Sequence, residues 1–164
     1  MAEGFQKTDM NDASLFDRVP PHDDDAERAA LGGMLVSKDA IGEISQALDP
    51  EDFYQPNHQT IYETILAMFS AGDPVDSVTV ATKLDERGDL QKIGGVNYLH
   101  DLASEVPTAA NALYYAEIVH QRALLRRVIA TGTKITQLGY NAGGAQAQDV
   151  INLAQAEAYE MGEG

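Results

Sequence analysis

The chain has 164 residues, of which 44 % are apolar; that is enough for one ordinary core with an appendage, and too apolar for a disordered chain. Its formal net charge of −15 argues against the whole molecule binding a phosphate backbone, which requires clustered Lys and Arg to displace counterions. It has no cysteine, which removes disulfides, thiolate nucleophiles and Cys-based zinc sites. No apolar run reaches membrane-spanning length and the N-terminus lacks the long apolar stretch of a signal peptide, so a cytoplasmic protein with no membrane partner is expected.

Residues 1–17 are polar, without a sustained period, and are expected to form a mobile arm. Pro20-Pro21 makes a stiff extended lead into a helix expected over 24–36. There His22-Asp23-Asp24-Asp25 places negative charge at the N-terminus, where the helix dipole favours it. Ala30, Leu31, Met34 and Leu35 form the apolar stripe of that helix. Gly32-Gly33 costs helix propensity, and close approach of a neighbouring element is the expected reason for the pair. A second helix is expected over 39–48, and a turn at Asp49-Pro50 presents Phe53 and Tyr54 to the core. A third helix is expected over 57–71, carrying Ile61, Ile65, Met68 and Phe69, and a fourth from Ser77 to near Gly88, capped by Asp76 or Ser77. A short segment around Leu90 leads to Ile93-Gly94-Gly95, and the next helix, over 96–104, presents Tyr98, Leu99 and Leu102.

Val106-Pro107-Thr108-Ala109-Ala110-Asn111 then opens the longest element. Pro107 holds Val106 extended, and Thr108 or Asn111 can cap the helix that follows. That helix is expected over 110–140, and at 1.5 Å per residue its length of roughly 45 Å exceeds what a small helical body can cover. Asn141-Ala142-Gly143-Gly144 forms a turn, and a last helix over 147–161 repeats Ile151, Ala154, Ala158 and Met161 at spacings of three and four. Strand-like alternation is absent. The expected fold is all-α: a compact helical body over 18–107 followed by a projecting antiparallel helical hairpin over 108–161.

Residues suited to bond-breaking chemistry are sparse. A Gly-x-x-x-x-Gly-Lys-Ser/Thr loop is absent, as is a Gly-x-Ser-x-Gly elbow. Among the four histidines none lies three or four residues from another, so no helix face carries two as metal ligands usually require. His58, near Asp52 and Tyr54, has the best catalytic case, a small hydrolase; capping of the third helix or a bond to the preceding loop is the structural alternative. His100 and His120 are expected to be exposed. Asp23-Asp24-Asp25 reads as a solvated helix start, because consecutive helical residues point in different directions and do not converge on one ion.

Arg122, Arg126, Arg127 and Lys134 stand against Glu117 alone between 111 and 139, a local charge of +3 (four minus one). This arm could bind single-stranded DNA, or its cations could pair with Asp149, Glu157 and Glu160 of the last helix. In the latter case antiparallel geometry puts Lys134 near Asp149 and Arg127 near Glu157. Leu124, Val128, Ile135 and Leu138 form one apolar stripe on the long helix, and Ile118, Leu125 and Ile129 a second, rotated from it. One stripe serves the hairpin; two imply that the hairpin also meets something else, most simply a second copy of itself. The expected self-association residues are Ile118, Leu124, Leu125, Val128, Ile151 and Ala158.

Taken in order, several segments resemble one family. They are Arg18-Val19-Pro20-Pro21, Ala26-Glu27 with Leu31-Gly32, Asp52-Phe53-Tyr54 with His58-Gln59, Val78-Thr79-Val80, and Ile93-Gly94-Gly95 with Tyr98-Leu99. Val106-Pro107-Thr108-Ala109-Ala110-Asn111, Tyr114-Tyr115-Ala116 with Ile118-Val119, and Leu125-Arg126-Arg127 complete the set. Over some 140 residues the chain is similar to the N-terminal domain of bacterial replicative DNA helicases of the DnaB type, most of all the actinobacterial versions. The resemblance implies a non-catalytic domain whose hairpins pair two by two, six copies building a collar above the ATPase ring. It also implies that primase docks on this collar through its C-terminal helical domain. Matched position by position, the primase contacts fall at Asp25, where other members carry Glu, and at Tyr98, Ile129 and Ile135. A family member continues into a linker helix and an ATPase domain that binds ATP and magnesium. This chain stops at Gly162-Glu163-Gly164, so it is expected to be a fragment without cofactor, ATPase or unwinding activity, touching DNA only through the parent protein.

Overall fold

The computed structural model describes residues 18–163, so the expected arm over 1–17 lies outside them. Among the described residues the chain forms eight α-helices and no strand. α1 spans Asp24–Val36, α2 Lys38–Ser45, α3 Pro56–Ser70, α4 Ser77–Glu86, α5 Leu90–Ile93 and α6 Gly95–Glu105; α7 spans Ala112–Tyr140 and α8 Ala147–Glu163. Short 3-10 turns at Pro50–Asp52 and Ala109–Asn111 lead into α3 and α7.

Local chemistry sets these boundaries. Asp23 caps α1 by accepting from the Ala26 N–H at 2.9 Å. Ser37 both ends α1, donating its N–H to the Gly33 carbonyl, and starts α2, its hydroxyl accepting from the Ala40 N–H at 3.3 Å. α2 stops at Ser45, short of the expected 48, because the N–H groups of Gln46 and Ala47 turn to carbonyls three residues back and tighten the chain. Asp76, and not Ser77, caps α4, in a reciprocal pair with Thr79 (2.8 and 2.9 Å). Thr108 caps the 3-10 turn through the Ala110 N–H, so α7 begins at Ala112 rather than 110.

α1 lies at the centre, against α2, α3, α6 and α7. The Gly32-Gly33 pair permits this. A Cβ on Gly32 would stand 2.2 Å from the Leu102 carbonyl oxygen of α6, and one on Gly33 would stand 2.6 Å from the Ala112 Cβ of α7. The two helices thus rest on neighbouring faces of a bare stretch of backbone. Around it Leu31, Met34, Ile41, Ile44, Phe53, Ile61, Ile65, Leu84, Leu99 and Leu102 close a single core. Tyr62 is fully buried, and its hydroxyl donates to the Leu48 carbonyl at 2.8 Å. Ala112, Ala116 and Val119 carry the first turns of α7 into the same core; no later residue of α7 is buried. α8 packs back along the distal part of α7.

The glycine contacts give a first prediction. Gly32→Ala forces backbone apart and should cost about 2 kcal/mol or more. Gly132→Ala in α7, whose Cβ would meet nothing, should instead gain up to about 1 kcal/mol of helix propensity. Chemical unfolding of both variants checks the contrast; equal stabilities would refute the close packing.

A second prediction concerns alkaline pH. Burial, helped by the charges of Asp49 and Asp52, pushes the Tyr62 hydroxyl well above its ordinary value. The folded chain therefore keeps a proton that unfolded tyrosine releases near pH 10, and stability should fall as pH rises above about 10. Tyr62→Phe should flatten that fall in denaturant titrations between pH 8 and 11, at the cost of one hydrogen bond.

Candidate functional site

The first turn of α1 directs one acid inward. Glu27 shares a helix face with Leu31 and Met34 and is 1 % exposed. Its carboxylate accepts from the Tyr54 N–H at 2.7 Å, the Gln55 N–H at 3.4 Å and His58 Nδ1 at 2.7 Å. His58, in the first turn of α3, is 2 % exposed, and its Nε2 meets the Tyr98 hydroxyl of α6 at 2.5 Å. With Nδ1–H given to Glu27, Nε2 accepts and the Tyr98 O–H donates. The two rings stack, 12° apart in plane with centroids separated by 5.9 Å. Arg28 stands 5.2 Å from the Tyr98 ring centroid and pairs with Glu105 at the far end of α6. Burial pushes the Tyr98 hydroxyl above its usual value, with Arg28 acting in the opposite sense, and the Glu105 bond raises the Arg28 guanidinium.

Beside this network lies a groove of about 400 Å³ between α1, α6 and α7, lined by Asp25, Arg28, Leu102, Val106, Pro107 and Ile118 among others. Asp25 is exposed on its rim, and Arg28 belongs both to the groove and to the Tyr98 cluster. Asp25 and Tyr98 thus share one surface. The Tyr98 hydroxyl does not point to a partner: it is engaged by His58, so only the half-buried ring is offered. Ile129 and Ile135 lie further along α7, at 1.5 Å per residue roughly 16 and 25 Å beyond Ile118. Ile129 is half exposed, and Ile135 is more covered.

The remaining hairpin residues divide by face. Ile118 packs against the core and lines the groove; Leu124 is half-buried. Leu125, Val128 and Ile151 are about half exposed, and Ala158 is exposed. The hairpin register departs from expectation. Lys134 pairs with Glu157 at 3.7 Å, not with Asp149, and Glu157 is therefore not the partner of Arg127. Asn141, Ala145 and Val150 line one hollow with Lys134, Leu138, Leu153 and Glu157, because the connection runs through Gln146 before α8 starts at Ala147.

Three of the four cations on the arm are matched inside the chain. Arg122 lies 3.9 Å from Asp23, Lys134 meets Glu157, and Arg126 donates to the Pro21 and Asp52 carbonyls at 2.8 and 2.6 Å. Arg126 also stands 5.5 Å from the Tyr54 ring, on which His22 stacks. A basic track for DNA is not what this arm presents. Sequence reasoning missed Arg28 and the partners of Glu27 and Arg126. For Glu27 the signal was its place on the apolar face of α1; for the two arginines no local pattern marks the partners.

His58 does not pair with Asp52, as a hydrolase reading required. Asp52 is held by the Asp49 N–H at 3.1 Å and by His120 Nδ1 at 3.2 Å, which leaves His120 half-buried rather than exposed. The His58 backbone N–H does donate to the Gln55 carbonyl of the loop before it, at 3.0 Å, but the side chain turns away to Glu27 and Tyr98. His100 is exposed, bonded to Ser77. The carboxylate–imidazole–hydroxyl chain ends on a ring stacked against its own imidazole, and the adjacent groove is lined by Arg28, not by His58 or Tyr98. Among the described residues no group of three or more His, Asp or Glu could hold a metal ion, and no helix is long and apolar enough to cross a membrane.

Residues 19–121 match the family model described as the DnaB-like helicase N terminal domain. The chain is 53 % identical over 149 residues to the replicative DNA helicase DnaB of Mycobacterium leprae, covering 90 % of this chain and 25 % of that protein. It is 51 % identical over 145 residues to the DnaB of Leifsonia xyli, covering 88 % and 32 %. The chain thus spans about a quarter to a third of the length of these curated relatives. The crystal structure of the N-terminal domain of DnaB helicase from Mycobacterium tuberculosis superposes with a TM-score of 0.80 at 52 % identity, covering 87 % of this chain and 99 % of that one. A solved DnaB-like replicative helicase, described together with its interactions with primase, superposes with a TM-score of 0.70 at 27 % identity, covering 85 % of this chain and 31 % of that one. The chain belongs to the family of DnaB-like helicase N-terminal domains.

Proposed function

We propose that this domain is a non-catalytic collar module of a replicative DNA helicase in the cytoplasm, one that brings copies of the helicase together and docks primase. Its hairpins pair two by two and six copies form the ring, while ATP, magnesium and DNA are handled by the ATPase domain of the parent protein. One observation carries the reading: among the described residues none of α7 beyond Val119 and none of α8 is buried, although this hairpin presents Leu125, Val128, Ile129, Ile151, Leu153 and Tyr159. Apolar faces of this kind are interaction surfaces. The charge supports protein partners over nucleic acid, since the net charge is −15 and the hairpin cations are largely matched internally.

Primase docking rests on the surface that joins Asp25, Arg28 and Tyr98, with Ile129 and Ile135 on α7, and on the likeness to a helicase described with primase. The partner would meet an aromatic ring already fixed in place, a groove with an apolar floor and an acidic rim.

Replacing Leu125 and Val128 with Asp should convert the assembled domain to monomer in sedimentation or mass photometry, with helical content retained. Both side chains are half exposed in the single chain, and a buried unpaired carboxylate in an interface is strongly unfavourable. Retention of the wild-type mass by the double variant would place the interface elsewhere. Tyr98→Ala should weaken binding of labelled primase C-terminal domain by about 2 kcal/mol, as a central aromatic anchor does. Wild-type affinity in folded Tyr98→Ala would remove primase from this surface.

A further inference from the structure

Glu27 and His58 are the most deeply buried ionisable pair among the described residues, and their position needs a reason. A buried carboxylate–imidazole pair is costly to desolvate, and an apolar pair of like volume commonly serves stability as well or better. What the pair does have is an outlet at the surface. Glu27 is fixed by two backbone N–H groups of the Tyr54–Gln55 segment, so its remaining bond sets the orientation of the His58 ring. His58 in turn accepts from Tyr98 and stacks on it. Arg28, tied to Glu105, stands by the same ring. Gly94, at φ +116°, caps α6 one turn ahead of Tyr98, and a Cβ there would lie 3.0 Å from the Tyr98 Cβ. Tyr98 is thus a half-buried aromatic at the surface whose rotamer is set from below by a hydrogen-bonded chain running through the core.

We propose that His58, backed by Glu27, is a positioning residue for partner docking: it holds the Tyr98 ring in the orientation that primase recognises. This rests on the reading of Tyr98 as part of the primase surface. The physical basis is preorganisation, because a side chain already immobilised loses less freedom on binding. His58 touches no partner itself. Its effect is conveyed by one bond, from the Tyr98 hydroxyl to Nε2, and removing either end should have the same consequence.

The test is titration of labelled primase C-terminal domain into the full chain carrying Tyr98→Phe, His58→Leu, both together, His58→Gln or Tyr98→Ala, with thermal unfolding of each. Tyr98→Phe keeps the ring and lies at the surface, so it reports even where His58→Leu folds poorly. Tyr98→Phe and His58→Leu should each weaken binding roughly three- to tenfold, the range expected from freeing one side chain. The double variant should be no weaker than the weaker single, because both act on one bond. His58→Gln, which restores an acceptor near the hydroxyl, should recover much of the loss. Full affinity in folded Tyr98→Phe and His58→Leu, with Tyr98→Ala impaired, would reduce His58 to a core residue and leave the primase reading standing. Additive losses in the double variant would equally overturn the coupling. Wild-type affinity in Tyr98→Ala would overturn the docking reading and this inference together.

Discussion

Everything in this domain is arranged around the bare backbone of Gly32-Gly33. Two helices touch α1 there, α6 through the Leu102 carbonyl and α7 through the Ala112 methyl. Side chains would have held both some ångströms away, and the consequences would reach past the core. The distance between α1 and α6 fixes whether Glu105 reaches Arg28 and whether the Tyr98 hydroxyl reaches His58. The distance between α1 and α7 fixes whether the groove beneath Asp25 exists at all. A packing constraint that looks like mere economy of space therefore sets the geometry of the outer surface.

Polar contacts then anchor the long helix where apolar packing runs out. After Val119 the core ends, and the next turns of α7 are held by His120 on Asp52, Arg122 on Asp23 and Arg126 on the Pro21 and Asp52 carbonyls. These contacts draw the segment ahead of α1 and the turn before α3 onto the same stretch of helix. Exposed ion pairs such as Arg122–Asp23 contribute little each. The Arg126 bonds matter more, because they satisfy backbone carbonyls that the irregular segments leave without helical partners.

Helices were largely legible in the sequence because they obey local rules. Acidic residues ahead of α1, the Pro107 break and the 3.6-residue period of apolar side chains place most of the boundaries within a residue or two. The exceptions are local too: α2 ends early in a tightened turn, and α7 starts late behind a 3-10 turn. What the sequence hides is pairing across distance. Nothing in the neighbourhood of His58 says that its partner is Glu27 rather than the nearer Asp52, and an acid in the first turn of a helix normally reads as a dipole partner facing water. The hairpin register was hidden for another reason: it depends on how many residues the connection consumes before α8 resumes, so Lys134 meets Glu157 and not Asp149. The family resemblance supplied the proposed docking positions, but not the Arg28 side chain that lies between Asp25 and Tyr98.

α7 has a mechanical character as well. It is one unbroken helix of 29 residues, seated in the core at one end and free of it at the other. A force applied near Tyr140 acts roughly 30 Å beyond Val119, the last buried residue of the helix. Gly132 and Gly139 both lie in the outer half, where a Cβ would meet no other atom of this chain. Glycine lowers the cost of leaving helical geometry. Bending under load is thus favoured in the arm, beyond the Arg126 anchor, and the body with its fixed aromatic surface is shielded from strain applied there.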